Sequence, residues 1–196
     1  DQGFPGNADV SVTYTIEHDG ITIAYDGVSD RDTVLNMTCH GYFNLEGHDG
    51  GLVLDHVLQS PAAYYRAEAP AGMPKTQVFS VEGTPFDFRE PKPISRDIEA
   101  NYEPLQLQGG YDHNFEVWCN PCAVLSDPVS GRRMSVVTDC PGVQFYAGNF
   151  LNETGKGGLY YGKRAGIALE TQFWPDSIHH PQWAQPVTKA GERYHT

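Results

Sequence analysis

The stretch Val10-Ser11-Val12-Thr13-Tyr14-Thr15-Ile16, followed by Glu17-His18-Asp19-Gly20 and then Ile21-Thr22-Ile23-Ala24-Tyr25, decides the class of the fold. Val10, Val12, Tyr14 and Ile16 alternate with Ser11, Thr13 and Thr15, the period-two pattern of a half-buried strand. Glu17 to Gly20 reads as a turn, with Gly20 free to take a positive φ, and Ile21, Ile23 and Tyr25 resume the alternation, so the segment predicts a β-hairpin. Ala123 to Leu125 and Met134 to Thr138 predict a second hairpin across Asp127-Pro128-Val129-Ser130-Gly131. Fourteen prolines and 21 glycines interrupt the chain too often for long helices. Short strands at such spacing indicate an all-β sandwich or barrel. No internal repeat, low-complexity tract or linker divides residues 1–196, which read as a single domain.

The chain has 196 residues, enough to bury a sizeable core, and its 39% hydrophobic and 12% aromatic content is that of a folded protein rather than a disordered one. No apolar run approaches the roughly 20 residues of a membrane-spanning helix. A formal charge of −12 argues against nucleic acid as a partner and fits a neutral substrate better than a polyanion. Four cysteines are too few for a disulfide scaffold, so reduced thiols in a cytoplasmic protein are expected. Cys119-Asn120-Pro121-Cys122 is a lone C-x-x-C without the second pair or histidines of a zinc site, and no metal or cofactor is expected. His179-His180 lacks a third ligand. Asn36-Met37-Thr38 and Asn152-Glu153-Thr154 fit the glycosylation pattern by chance. The turn-rich opening at Asp1 reads like a loop inside a longer polypeptide.

Four segments carry polar groups suited to chemistry. Thr33 to Phe43 reads as a strand with Leu35, Met37 and Cys39 on one face and Asn36, Thr38 and His40 on the other. Ile167 to Phe173 repeats the arrangement, with Glu170 opposite Ile167 and Leu169, where partial burial would raise its pKa toward the range of a general base. Asp112 follows the Gly109-Gly110 pair, and a short carboxylate on a tight turn can accept two sugar hydroxyl hydrogen bonds. Gln144 lies in Pro141 to Tyr146, offering both donor and acceptor to vicinal hydroxyls. Taken singly, each has a plainer reading: a solvated histidine, a rim glutamate, ordinary turn chemistry.

Together and in this order the segments resemble the aldose 1-epimerase family. Asn36-Met37-Thr38-Cys39-His40-Gly41-Tyr42-Phe43-Asn44-Leu45 is similar to its N-x-T-x-H-x-Y-F-N-L segment, and Gly83-Thr84-Pro85-Phe86-Asp87-Phe88 to its G-T-P-F-D-F. Gly110 to Phe115, Pro141 to Tyr146 with Gly148-Asn149-Phe150, and Leu169-Glu170-Thr171-Gln172 with Pro175-Asp176 complete the set, which covers nearly the whole chain. The resemblance implies a large antiparallel β-sandwich of galactose mutarotase type, with the sugar in a shallow cleft lined by one sheet. It implies His40 as general acid, Glu170 as general base, and Asp112 and Gln144 as sugar-binding residues. The family also has strands, a second histidine and an arginine upstream of the part matched here, so an incomplete sandwich is expected, which either self-associates or occurs beside the rest of its polypeptide. Ala69 to Lys75 departs from the family's P-T-G-E-like stretch.

The implied activity is interconversion of the α and β anomers of free hexoses such as galactose and glucose, without metal or cofactor. Three alternatives stand beside it. Asp112 and Glu170 could act as the paired carboxylates of a glycoside hydrolase, which leaves His40 without a role. A non-catalytic sugar-binding module would bind without turnover. A hexose-6-phosphate epimerase would need a basic cluster that the acidic chain does not display.

Overall fold

The computed structural model describes residues 3–68 and 74–196; positions 69–73 of the departing Ala69–Lys75 stretch lie outside the described residues. The fold is mostly β, its sheets antiparallel, with a single short α-helix, Glu103–Leu107, among the described residues. The chain gathers into two compact units, residues 1–37 with 176–196, and residues 38–175.

The first unit contains the hairpin expected from period two. Strand Ala8–Ile16 pairs antiparallel with Ile21–Ser29, opposing Ile16 to Ile21 and Tyr14 to Ile23. The Glu17 amide closes the turn on the Gly20 carbonyl at 2.9 Å, and Gly20 is not among the glycines with positive φ. Arg193–His195 adds a third strand beyond Ile21–Ser29. The expectation of a half-buried first strand is corrected: every residue of Ala8–Ile16 is exposed. Its alternation is real, since Val10, Val12, Tyr14 and Ile16 share a face, but no layer among the described residues covers that face. Alternation reports which residues could be buried together, not that a cover is present.

The second unit is a sandwich of two antiparallel sheets. One has five strands in the order Ala168–Gln172, Gly142–Tyr146, Asp112–Glu116, Tyr64–Glu68, Pro74–Ser80. The other has four, in the order Arg133–Val136, Ala123–Ser126, Val57–Gln59, Lys92–Pro93. Alternation sends Tyr65, Phe115, Val143, Phe145 and Leu169 of the first inward against Leu58 and Leu125 of the second. Phe86 and Phe88 of the Gly83-to-Phe88 motif plug the same core. Phe86 stacks on Tyr65 at 4.2 Å between centroids, and Phe88 meets Phe145 edge-on at 5.7 Å, both favourable aromatic geometries. The Ala123-to-Thr138 hairpin forms with Leu125 opposite Met134, and Gly131 takes φ +71° in its turn. Its second strand stops at Val136 rather than Thr138, because the Thr138 amide donates to Asn120 Oδ1 instead of the ladder.

The strand expected over Thr33 to Phe43 is also corrected. Only Thr33–Val34 is strand, pairing with Val187–Thr188, and Phe43 makes an isolated bridge with Ile167. The Leu35 amide bonds to the Pro186 carbonyl, whereas Phe43 exchanges both backbone hydrogen bonds with Ile167. With its ends tied to different partners, the stretch between them has no continuous ladder to join. His40 therefore rides on an irregular segment, not on a strand.

Candidate active site

The outward face of the five-stranded sheet assembles the polar residues. Register places Glu170 opposite Gln144, Gln144 opposite Asn114, and Asn114 opposite Arg66, one row across four strands. The next row on the same face has Ala168, Tyr146 and Asp112. Side chains two apart on a strand share a face, so the two rows form one polar surface backed by the apolar core.

All four residues singled out from the sequence meet there. His40 Nε2 lies 3.3 Å from Glu170 Oε1. The His40 side chain is half exposed, whereas that of Glu170 keeps only 12% of its surface. Gln144 Nε2 donates to Asp112 Oδ1 at 2.8 Å. Burial raises the Glu170 pKa above the ordinary glutamate value, His40 lowers it, and Asp112 adds to the rise. Burial likewise raises Asp112, opposed by the hydrogen bond from Gln144 and by His40. Burial thus disfavours the ionised form of both carboxylates, while His40 and, for Asp112, the Gln144 hydrogen bond favour it.

The Phe43–Ile167 bridge brings His40, three residues upstream, to Glu170, three residues downstream of Ile167. Asn44 reinforces the anchor, its Nδ2 donating to the Ala165 and Gly51 carbonyls. Asp112 is fixed from its own loop. Gly110 takes φ +139°, and a Cβ there would fall 2.5 Å from Arg164 Nη2 and 2.7 Å from Asn149 Oδ1. Arg164 is buried; its guanidinium donates to the Gly109 carbonyl at 2.7 Å and to Asn149 Oδ1, and pairs with Glu99. Asn149 Nδ2 donates to the Gln108 and Tyr111 carbonyls. Glycine is needed at 110 because this clamp occupies the space of a side chain.

Sequence reasoning did not single out Arg164 or Tyr42. Tyr42, 45% exposed, lies 5.1 Å from the His40 ring and 6.2 Å from Tyr146, lining the site with aromatic surface. Membership of the Asn36-to-Leu45 motif was a signal for Tyr42; nothing local marked Arg164. His113, adjacent to Asp112, turns into the core, where burial pushes its pKa down to about 3. Its Nδ1 accepts the Asp112 amide at 3.0 Å, so it helps hold the backbone rather than meeting substrate.

Other groups that could hold a metal have their atoms committed. Glu46, His56 and Asp127 bring ligand atoms within 4.8 Å of one another. His56 Nε2, however, accepts the Leu45 amide at 2.9 Å. A neutral imidazole has one lone pair, so the other nitrogen carries the proton and offers nothing to a cation. The Asp176 carboxylate takes both His179 and His180. Burial pushes the Cys122 thiol up to about 11, away from the thiolate that metal binding or redox chemistry needs.

The profile of the family described as aldose 1-epimerase matches residues 1–196. An aldose 1-epimerase of Haemophilus influenzae is 43% identical over 203 aligned positions, covering 100% of this chain and 59% of the relative. A galactose mutarotase of Mus musculus is 37% identical, with 99% and 57% covered. Among solved structures, a galactose 1-epimerase from Lactobacillus acidophilus superposes with a TM-score of 0.85 at 31% identity, covering 98% of this chain and 56% of the other. A GalM/aldose epimerase homologue from C. elegans also reaches 0.85, at 27% identity, with 100% and 59% covered. The chain thus spans somewhat under three-fifths of the length of these relatives.

Proposed function

Because the chain belongs to the aldose 1-epimerase family, we propose that it serves the mutarotation of free hexoses such as galactose and glucose in the cytoplasm. The observation that carries this reading is the 3.3 Å approach of His40 Nε2 to Glu170 Oε1 on a face shared with Asp112 and Gln144. Ring opening of a hexose requires a base at the C1 hydroxyl and an acid at the ring oxygen. Both oxygens are bonded to the same carbon, so the two groups must converge on neighbouring atoms.

In the proposed reaction Glu170 removes the C1 hydroxyl proton while protonated His40 donates to the ring oxygen. The electron pair of the O–H bond becomes the second C=O bond of the aldehyde, and the C1–ring oxygen bond breaks. Rotation about C1–C2 and reclosure, with the proton roles reversed, give the other anomer. The raised Glu170 pKa makes it a stronger base than a free carboxylate, and a positioned acid or base contributes about 10²- to 10⁴-fold. Asp112 accepts hydroxyl hydrogen bonds, Gln144 supplies a donor and an acceptor, and the Tyr42 and Tyr146 rings offer apolar surface to the C–H groups of the sugar. The scheme needs no metal or cofactor.

Polarimetry on freshly dissolved α-D-galactose and α-D-glucose tests the proposal. Accelerated decay of rotation to the equilibrium value without new reducing ends is expected. Sugar binding without acceleration would make the chain a binding module, and release of reducing ends from a glycoside would make it a hydrolase; either result overturns the reading.

A further inference from the structure

The row that holds Glu170 and Gln144 continues to two residues that the proposed chemistry does not use, Asn114 and Arg66. Asn114 is 2% exposed, and both its Nδ2 and its Oδ1 are buried without a hydrogen-bond partner. Leaving a buried amide unsatisfied is costly, so the position calls for an explanation. Gln144 Oε1 is buried without a partner as well. Gln144 and Asn114 are directly opposed across adjacent strands, which puts their Cβ atoms roughly 4.5–5.5 Å apart on one face. On the far side of Asn114, Arg66 occupies the next place in the row, buried, with its guanidinium 3.5 Å from the centre of the Trp174 ring. The backbone is shaped to admit this layer: a Cβ on Gly142 would fall 2.5 Å from Trp174 and 2.6 Å from Asn114 Oδ1.

The donor and acceptor chemistry of the two ends dictates the polarity of the middle. A guanidinium has donors only, and an ionised carboxylate has acceptors only. An Asn114 amide that gives its oxygen to the cation has its N–H groups for Gln144. Such an amide is matched by a Gln144 whose Oε1 faces Asn114 and whose Nε2 faces Asp112, the direction in which the 2.8 Å hydrogen bond runs.

We propose that Asn114 and Arg66 are positioning residues of the sugar site. In this arrangement Arg66 orients the Asn114 amide, which donates to Gln144 Oε1 directly or through one buried water. That contact decides which end of Gln144 faces Asp112 and which hydroxyl contacts the pair can make. The assignment rests on the mutarotase reading for its sugar, but not for its hydrogen bonds.

Asn114→Asp tests it. The substitution preserves shape and sits beside Arg66, so the fold is retained, but a carboxylate accepts from Gln144 Nε2 and turns Oε1 toward Asp112. The loss of the hydrogen bond that favours ionised Asp112 moves its carboxyl titration upward, read by carbon NMR of the side-chain carboxyl in purified protein. In polarimetry KM for galactose rises roughly tenfold, the worth of one charge-assisted hydrogen bond, with kcat within about threefold. Asn114→Leu, which removes the amide without reversing it, gives a smaller upward shift and serves if the aspartate variant misfolds. An unchanged Asp112 titration in the folded variants overturns the proposal. Wild-type protein without mutarotase activity overturns the functional reading instead, and the NMR titration still decides the relay.

Discussion

Replacing Glu170 by glutamine keeps the shape of the side chain and its place opposite Gln144 while removing the basic oxygen that lies 3.3 Å from His40 Nε2. General base catalysis is worth two to four decades, so the barrier should rise by about 2.7–5.4 kcal/mol at about 1.36 kcal/mol per decade. Folding should not suffer, and the sign follows from linkage. Burial raises the Glu170 pKa above its ordinary value of 4.5, so the native state binds this proton more tightly than the unfolded chain does. Stability therefore falls as pH rises from 4.5 through the raised value and stays lower at neutral pH. Glutamine carries no such penalty. The variant should be at least as stable as wild type to urea at pH 7, with the gap closing as pH falls below the ordinary glutamate value. Activity has the opposite dependence: wild-type kcat/KM should drop on the acid side as Glu170 protonates, and the residual rate of Glu170→Gln should lack that limb. Polarimetry from below the ordinary glutamate value to neutral pH reads both effects. A variant within tenfold of wild type, or one keeping the same acid limb, refutes Glu170 as the base.

Gly110→Ala should destabilise the second unit by about 3 kcal/mol or more, because a strained φ of +139° combines with displacement of the Arg164 guanidinium; urea midpoints check it, and a loss under 1 kcal/mol refutes the clamp. A chelator should leave rate and stability unchanged; a stoichiometric metal that is lost together with activity would contradict the metal-free scheme. The isolated 196-residue chain should self-associate through the exposed Val12, Tyr14 and Ile16 face of an edge strand, and Tyr14→Lys should reduce association in sedimentation velocity. A clean monomer at tens of micromolar, roughly the range in which such patches associate, would contradict this.

Period-two alternation was legible in the residues and determined the all-β class and both hairpins, because side-chain direction along a strand is a local property. The ordered motifs likewise marked His40, Asp112, Gln144 and Glu170 individually. Only the tertiary structure decided that Ala8–Ile16 keeps both faces exposed, since burial depends on a partner layer that local sequence does not encode. The same holds for His40, which reaches Glu170 from an irregular segment tied down by the Phe43–Ile167 bridge rather than from a strand. Arg164 and Arg66 had no local signal, and the alignment of Glu170, Gln144, Asn114 and Arg66 in one row had none either, because that row forms only through strand register between segments distant in the chain. Register is set by which faces the whole core can bury, a quantity that no single segment holds.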